Sequence, residues 1–396
     1  MMCLLDKSSG AAISVRSILR ILASAGWSAH SISASLFDNG DGDPMQALLP
    51  DKVDRDKAVG KYVSLQRDGI TDHILITRDS RSQFLRQQEA DNLGKLAVQK
   101  LREIKPDIVI SYGGRDLGRF LRQMAKKTGA RVLFYLANDA YSDVEDFEEV
   151  DQVLCPSAFL SQYYRDKLGL QPHALPTIVH PEMLSEDFSE PRHQEVHGGF
   201  ITMINPSFAK GGTLFFRLVE IALSKRPDFT FLAVEGRQTR TDWIQQGLRP
   251  EKLSNLWWIP RQTQMSRVWE KSTVLIMPSF WQEAAGRVIV EAQLCGIPVL
   301  ASRRGGIPEQ LNGAGFLFNL PEACHQDWTH QPGKEDVLPW LKQLEELADS
   351  KVSYQKAQAN ALHAAEPFLP QRRFRDVLQY FGNLLSQEPP TCPTGK

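Results

Sequence analysis

Short apolar runs alternate with helical patterns along most of this chain. Runs of four to eight apolar residues between turn residues indicate buried strands, and apolar residues spaced three and four apart indicate helices. In the first half the predicted helices span about 13–25, 89–104 and 117–128, and the predicted strands are CLLD, HILIT, DIVISY, RVLFYLA and QVLCPS. Strands and helices alternating in this way predict a parallel, doubly wound α/β sheet.

The alternation is interrupted twice. Residues 39–72 show weak periodicity and are predicted to be loop with short pieces of structure. The polar stretch SEDFSEPRHQEVHGG (185–199) mixes charges of both signs and reads as a linker. Beyond it the predicted strands are GFITMIN, FTFLAVEG, NLWWIP, VLIMPS and PVLAS, with helices near 213–225, 240–247, 264–271 and 286–295. A last helix at 372–386 precedes a polar tail.

The length of 396 residues exceeds what one hydrophobic core ordinarily supports, so two domains are expected. We predict a Rossmann-like domain at 1–185, a second at 186–369, and a helix with a frayed tail at 370–396. Two such halves imply a cleft between them. Ligands of these sheets bind beyond the carboxyl ends of the strands, so the loops that follow strands are the places to search for chemistry.

Composition narrows the class of protein. The net charge of −1 lacks the basic footprint of a nucleic-acid-binding domain, so no nucleic-acid partner is expected. The five cysteines form no C-x-x-C and no spacing typical of zinc, so no metal site is predicted. The N-terminus does not resemble a signal peptide, and no apolar run reaches about 18 residues. A cytoplasmic location is expected, and peripheral contact with the inner face of a membrane stays open.

The first informative loop is NPSFAKGGT (205–213), where Lys210 precedes Gly211 and a helix that is predicted to begin at Thr213. Helix N-termini present free N–H groups, and a neighbouring lysine suits a phosphate. The alternative is a glycine turn with a solvated lysine. The order of residues is not that of a Walker A loop.

The loop DKSSGAA (6–12) precedes another predicted helix, where Gly10 allows a sugar or phosphate to approach the backbone. A simple tight turn is the alternative. The chain has no G-x-G-x-x-G there, and GGRDLG at 113–118 has the wrong spacing. A nicotinamide cofactor therefore loses its main support.

The third loop and the helix after it, PSFWQEAAGRVIVEAQLC, carry Glu283 and Glu291 in an apolar setting. A buried ionised carboxylate is costly unless it is paired. The two carboxylates could bind hydroxyls of two sugars in one ligand. A buried salt bridge for Glu291 and a solvated loop position for Glu283 are the alternatives, and the residues alone do not decide between them.

The whole run PSFWQEAAGRVIVEAQLCGIPVLASRRGGIPE (278–309) resembles the donor-site signature of family-4 glycosyltransferases of the GT-B fold, with Glu283 and Glu291 as its E-x7-E pair. NPSFAKGG resembles the phosphate loop of this family, and LPTIVHPEML (175–184) resembles the start of its second domain. The resemblance covers about 130–320. It implies two Rossmann-like domains facing each other across a cleft, with the C-terminal helix packing back on the N-terminal domain.

The resemblance also implies roles for residues. Glu283 would bind hydroxyls of the transferred hexose, Glu291 would hold the ribose, and Lys210 would neutralise the diphosphate. Glu283 and Lys210 are the implied catalytic residues. The main chain of the remaining donor-site residues would face the diphosphate and sugar: Gly211, Ala284, Ala285 and Gly286.

The sequence departs from the family pattern at position 205 and in the stretch LANDAY (136–141), among other places. Asn205 stands where an arginine is common, and Arg261 or Arg287 is the hypothesised replacement. The N-terminal domain of the family often has a histidine near the sugar and acceptor. Here Asn138 and Asp139 occupy roughly that region. Together with Ser9 and Gly10 they are predicted to lie in loops of the N-terminal domain near the sugar or acceptor.

The implied function is transfer of a hexose from a nucleotide diphosphate-sugar, a UDP- or GDP-sugar, to an unidentified acceptor in glycan biosynthesis. The acceptor is a glycan, a lipid-linked compound or a small molecule. The resemblance implies retention at the anomeric carbon, with no metal or other cofactor. Two alternatives stay open: a nucleotide-sugar epimerase of the same fold, and a catalytically weak sugar-nucleotide-binding partner protein.

Overall fold

The computed structural model describes residues 2–38, 44–49, 54–113, 116–184, 188 and 193–386. Most of the polar stretch at 39–44, half of the predicted linker at 185–199 and the tail after Ser386 lie outside these residues. The chain divides into two compact units. Unit 1 comprises Met1–Pro156, Ser161–Ile178 and Arg373–Lys396, and unit 2 comprises Ser157–Leu160 and Val179–Arg372.

Unit 1, as far as its residues are described, contains two sheets. Its helices are α1 (Gly10–Ser24), α2 (Arg55–Ala58), α3 (Gln87–Ile104), α4 (Asp116–Lys127) and α5 (Ala158–Leu168), the first turn of which belongs to unit 2. Its strands are β1 (Ala29–Ala34), β2 (Tyr62–Arg67), β3 (Ile70–Leu75), β4 (Ile108–Ser111), β5 (Arg131–Tyr135), β6 (Gln152–Cys155) and β7 (His173–Ala174). One sheet has the order β1-β3-β2 and the other the parallel order β4-β5-β6-β7.

The prediction of a strand at CLLD is wrong. Residues 3–6 form a turn, in which the N–H of Asp6 donates to the carbonyl of Cys3 at 3.1 Å. The segment is nevertheless buried: Leu4 packs into the core beside β5, while Cys3 and Leu5 pack into the core beside β3. Without a ladder through these residues, the expected continuous sheet of the first domain is two sheets.

Residues 39–72, predicted to be loop with short pieces of structure, are more regular in their second part than this prediction implies. Strands β2 and β3 form an antiparallel hairpin in which Arg67 pairs with Ile70. The two residues between them, Asp68 and Gly69, have φ of 55° and 75°. Asp-Gly is the residue pair that two-residue hairpin turns favour, because both central residues need positive φ. This signal was present in the sequence.

Unit 2 is built on one six-stranded sheet with the order β10-β9-β8-β11-β12-β13, in which every pairing is parallel. The strands are β8 (Phe200–Ile204), β9 (Phe231–Val234), β10 (Leu256–Ile259), β11 (Ser272–Met277), β12 (Val299–Ser302) and β13 (Phe316–Phe318). The helices are α6 (Gly212–Lys225), α7 (Arg240–Gln245), α8 (Ser266–Trp269), α9 (Arg287–Leu294), α10 (Ile307–Leu311), α11 (Glu322–Gln326), α12 (Lys334–Asp349) and α13 (Lys351–Ala365). The carboxyl ends of all six strands therefore lie at one edge of the sheet.

The last helix, α14 (Pro370–Ser386), returns to unit 1 from Arg373 onward. Val377 and Phe381 are fully buried in the core formed by α1, β5 and β6. The prediction that the C-terminal helix packs back on the first domain is confirmed. The structural reason is the apolar face of α14, which the rest of unit 1 covers.

The buried ring of Phe381 provides a test of this packing. We expect Phe381→Ala to lower the free energy of unfolding by about 3–5 kcal/mol, because it removes a buried aromatic ring and leaves a cavity. Leu385→Ala on the same helix, at an exposed position, should change it by less than about 0.5 kcal/mol. Urea denaturation of both variants measures the difference. Equal losses would show that α14 does not dock through this face.

Candidate functional site

The predicted donor-site residues of unit 2 all follow strands at the same edge of its sheet. Asn205, Lys210 and Gly211 follow β8, and Arg261 follows β10. The stretch from Glu283 to Arg287 follows β11, and Glu291 lies in the helix after it, α9. Since β8 and β11 are neighbours, the structure places their two loops side by side.

Lys210 and Glu283 form an ion pair between these two loops. The Lys210 Nζ lies 2.5 Å from Glu283 Oε1, and the Ser279 hydroxyl donates to the same oxygen at 2.7 Å. Glu283 is only 6% exposed. The alternative that its carboxylate is a solvated loop group is therefore wrong. A buried carboxylate is tolerated when it is paired and hydrogen-bonded in this way.

Main-chain hydrogen bonds hold the two loops against each other. The carbonyl of Ala209 accepts from the N–H of Phe280 at 3.0 Å and from that of Trp281 at 2.9 Å. The N–H of Gly306, after β12, donates to the carbonyl of Glu283 at 2.7 Å. The carbonyls that accept these bonds belong to Ala209, the neighbour of Lys210, and to Glu283 itself. The backbone that positions both charged side chains is therefore fixed.

Two glycines make the close approach of these loops possible. Gly211 has φ of 78°, and a Cβ on it would lie 2.0 Å from the carbonyl oxygen of Pro278. Gly305 has φ of 56°, and a Cβ there would lie 2.3 Å from the carbonyl oxygen of Glu283. Both positions combine a left-handed backbone with a backbone neighbour that cannot move aside, so any side chain would separate the loops.

Asn205 is held by the loop that follows β9. It has φ of 55°, a conformation that asparagine tolerates better than most residues, and its Oδ1 accepts from the N–H of Arg237 at 2.9 Å. Gly236 leaves room for this contact, since a Cβ on it would lie 2.2 Å from the Asn205 side chain. Arg261, which follows β10, contacts the same loop. Its Nη2 donates to the carbonyl of Gly236 at 2.7 Å.

Glu291 is buried inside unit 2 and is 2% exposed. The Nε of Arg287, one turn earlier on α9, lies 3.8 Å from its Oε1, which is a long ion pair. Burial raises the pKa of the Glu291 carboxyl to about 7, and Arg287 and the Trp269 indole offset part of that shift by favouring the ionised form. A buried salt bridge, one of the alternatives that the sequence left open for Glu291, therefore describes its contacts in the structure.

This raised pKa makes the stability of the protein depend on pH. The folded state keeps the Glu291 proton to higher pH than the unfolded chain, whose glutamates titrate near 4.5, so this group reduces stability as pH rises from about 4.5 to about 7. We expect Glu291→Gln to stabilise the protein by up to about 3 kcal/mol at pH 8.5 relative to its effect at pH 5. Thermal or urea unfolding at the two pH values measures this. An effect independent of pH would contradict the raised pKa.

The four predicted site residues of unit 1 occupy two loops. Ser9 is the N-cap residue of α1 and Gly10 is its first residue, and a Cβ on Gly10 would meet no atom within 4 Å. Asn138 and Asp139 follow β5. The Asn138 Oδ1 accepts from the N–H of Ala140 at 3.1 Å, and the Asn138 carbonyl accepts from the Tyr164 hydroxyl at 3.0 Å. The space beside the Gly10 backbone is thus open, whereas the Asn138 side chain forms a hydrogen bond within its own turn.

Sequence reasoning missed three residues that hold the site. Ser279, in the same signature, binds Glu283. The hydroxyl of Ser157 donates to the carbonyl of Ala284, and the two carboxylate oxygens of Glu309 accept from the N–H groups of Ala158 and Phe159 at 2.8 Å each. The position of Glu309 in the signature pointed to it, but nothing in the local sequence marks Ser157.

Residues 198–328 match the model of a protein family described as glycosyl transferases group 1. A D-inositol 3-phosphate glycosyltransferase of Corynebacterium jeikeium is 32% identical over 119 residues, which is 29% of this chain and 28% of that protein. Over that match the chain therefore spans less than a third of its relative's length.

Solved structures resemble the chain over nearly its whole length. A glycosyltransferase from Rickettsia africae superposes with a TM-score of 0.65 at 17% identity, covering 96% of both chains. The Anabaena protein HepE, in complex with UDP and glucose, superposes with a TM-score of 0.66 at 17% identity, covering 96% of this chain and 97% of that one.

These comparisons confirm the predicted fold, GT-B with two α/β domains of Rossmann type, and the resemblance of residues 198–328 to the group 1 glycosyl transferases. Among the described residues, no helix has both the length and the apolar character that a membrane span requires.

Proposed function

We propose that this protein is a glycosyltransferase that moves a hexose from a nucleotide diphosphate-sugar to an acceptor. The observation that carries the proposal is the Lys210–Glu283 pair, which joins a cation and a buried carboxylate at the carboxyl edge of a parallel sheet. Ligands of such sheets bind at this edge. The group 1 glycosyl transferase match spans both residues and supports the same reading.

Transfer breaks the bond between the sugar C1 and the diphosphate oxygen, and negative charge accumulates on the departing nucleoside diphosphate. We assign stabilisation of this charge to Lys210 and to the main-chain N–H groups at the starts of α6 and α9. Gly211 and Gly286 are the N-cap residues of these helices, so the N–H groups concerned directly follow the loops that contain Lys210 and Glu283. No metal is needed in this scheme, and we propose that the anomeric configuration is retained.

Glu283 has a second role in this proposal. In the structure its Oε1 accepts hydrogen bonds from both Lys210 and Ser279. A diphosphate competes with Glu283 for the lysine and thereby frees a carboxylate oxygen for the hydroxyls of the hexose. We assign Glu291 to the ribose hydroxyls and the main chain of Ala284 and Ala285 to the diphosphate-sugar.

The donor we propose is a UDP-sugar. The support comes from HepE, which is similar to this chain in fold and was crystallised with UDP and with UDP-glucose. A GDP-sugar is the competing donor. The acceptor is assigned to the loops of unit 1 that contain Ser9, Gly10, Asn138 and Asp139, in a reaction of glycan assembly.

Two substitutions test the catalytic assignment. We expect Lys210→Ala and Glu283→Ala each to lower the rate of sugar transfer by about 100-fold or more, because one removes leaving-group stabilisation and the other removes orientation of the hexose. The rate is measured as nucleoside diphosphate released in the presence of acceptor.

Lys252→Ala and Glu251→Ala are the matched controls, since both residues are exposed in unit 2. Their rates should equal that of the wild type. Wild-type rates in the Lys210 and Glu283 variants would contradict the assignment of these residues to catalysis. Interconversion of the donor sugar without transfer would indicate an epimerase, and donor binding with no turnover would indicate a binding protein.

A thermal-shift screen tests the donor. We expect UDP and UDP-sugars to raise the unfolding midpoint more than GDP, ADP, TDP and their sugars do, because a ligand that binds only the folded state stabilises it by mass action. A larger shift with GDP would replace UDP in the proposal. If none of these nucleotides shifts the midpoint, the protein does not bind a nucleotide-sugar.

A further inference from the structure

We propose that Arg261 is the residue whose guanidinium supplies the second positive charge for the diphosphate of the donor. This inference rests on the proposed function and deepens it, because it assigns the phosphate contact to a residue outside the Lys210 and Glu283 loops. It also chooses between Arg261 and Arg287, the two arginines hypothesised from the sequence as replacements for the family arginine at position 205.

The charge balance of the site creates the need for a second cation. The ammonium of Lys210 lies 2.5 Å from the Glu283 carboxylate, so together the two groups contribute no net charge. A diphosphate is strongly anionic and has to compete with Glu283 for Lys210, so a further cation would strengthen its attraction to the site. The asparagine at position 205 adds no charge, and its Oδ1 is occupied by the N–H of Arg237.

Arg261 is held at this place by one anchoring contact. Its Nη2 donates at 2.7 Å to the carbonyl of Gly236, the glycine against which the Asn205 side chain packs. The guanidinium is therefore fixed beside the turn that follows β8, the strand that leads to Lys210. A guanidinium offers five donors in a planar fork, so this one bond leaves most of its donors for an anion.

The positive charge of Arg261 is not balanced by a carboxylate. Within the described part of the chain it forms no ion pair, and its bond to Gly236 involves a neutral carbonyl. An arginine that is partly buried, positioned and uncompensated at the ligand-binding edge of a sheet is suited to bidentate contact with phosphate.

Arg287 does not meet these conditions. Its Nε lies 3.8 Å from the carboxylate of Glu291 on the same helix, so its charge faces a buried acid inside unit 2. A phosphate that recruited Arg287 would leave Glu291 with less compensation. Of the two arginines, Arg261 is the one that can bind an anion without exposing another charge.

The test uses the full-length protein and two probes, inorganic pyrophosphate and UDP, with uridine as the phosphate-free comparison. We expect Arg261→Gln to weaken pyrophosphate and UDP binding roughly 10- to 100-fold, because it removes a charge-assisted contact, and to leave uridine binding unchanged. It should also reduce the dependence of UDP affinity on salt concentration. Arg261→Lys should recover part of the affinity because it keeps the charge.

The matched control is Arg249→Gln. Arg249 is an exposed arginine of unit 2 whose side chain also donates to a main-chain carbonyl, that of Leu248, at 3.4 Å. This variant should bind pyrophosphate and UDP as the wild type does. Isothermal titration calorimetry gives the affinities, and the unfolding midpoint of each variant verifies that it is folded.

The outcomes separate this inference from the proposed function. Unchanged UDP and pyrophosphate affinity in Arg261→Gln overturns the inference and leaves the proposed function standing. Equal losses for UDP and uridine also overturn it, because the role would then not concern phosphate. A loss seen in Arg287→Gln but not in Arg261→Gln assigns the charge to Arg287. A wild-type protein that binds neither UDP nor pyrophosphate contradicts both proposals.

Discussion

The ion pair between Lys210 and Glu283 depends on the order of strands in unit 2. The two residues are 73 positions apart, and they meet because β8 and β11 are adjacent and parallel, so that the loops after them emerge at the same edge. Any other strand between β8 and β11 would separate the charges and leave Glu283 buried without its partner. A buried carboxylate without a partner is strongly unfavourable, so the sheet order and the site chemistry support each other.

The same constraint explains the glycines and the backbone bonds around the pair. The loops can share one carboxylate only if their main chains touch, which requires Gly211 against Pro278 and Gly305 against Glu283. Hydrogen bonds from Phe280 and Trp281 to the carbonyl of Ala209 then fix the distance. A site held on packed backbone in this way keeps its groups in position before a ligand arrives, which is the condition for electrostatic stabilisation of a developing charge.

Most of unit 2 was predictable from the sequence because its strands are continuous apolar runs between turn residues, and the residues after those strands identified the edge of the sheet where Lys210 and Glu283 meet. Unit 1 was less predictable. Strand β1 reads AHSISA, whose small and polar residues give no strand signal, and CLLD is apolar but turns instead of pairing. The contact of Ser157 with Ala284 joins residues 127 positions apart and follows only from tertiary packing.

The two glutamates of the E-x7-E pair differ in how the protein compensates their negative charge. This difference affects which groups of a ligand each of them can bind. Glu283 has a lysine at 2.5 Å and accepts a hydrogen bond from a hydroxyl, and the side chain of Lys210 is itself partly exposed to solvent. Glu291 has an arginine at 3.8 Å, and burial raises its pKa to about 7, which favours the protonated carboxyl. A protonated carboxyl both donates and accepts hydrogen bonds, whereas an ionised one only accepts. This contrast fits our proposals, in which Glu291 contacts neutral hydroxyl groups and the charged part of the ligand is bound by Lys210 and Arg261.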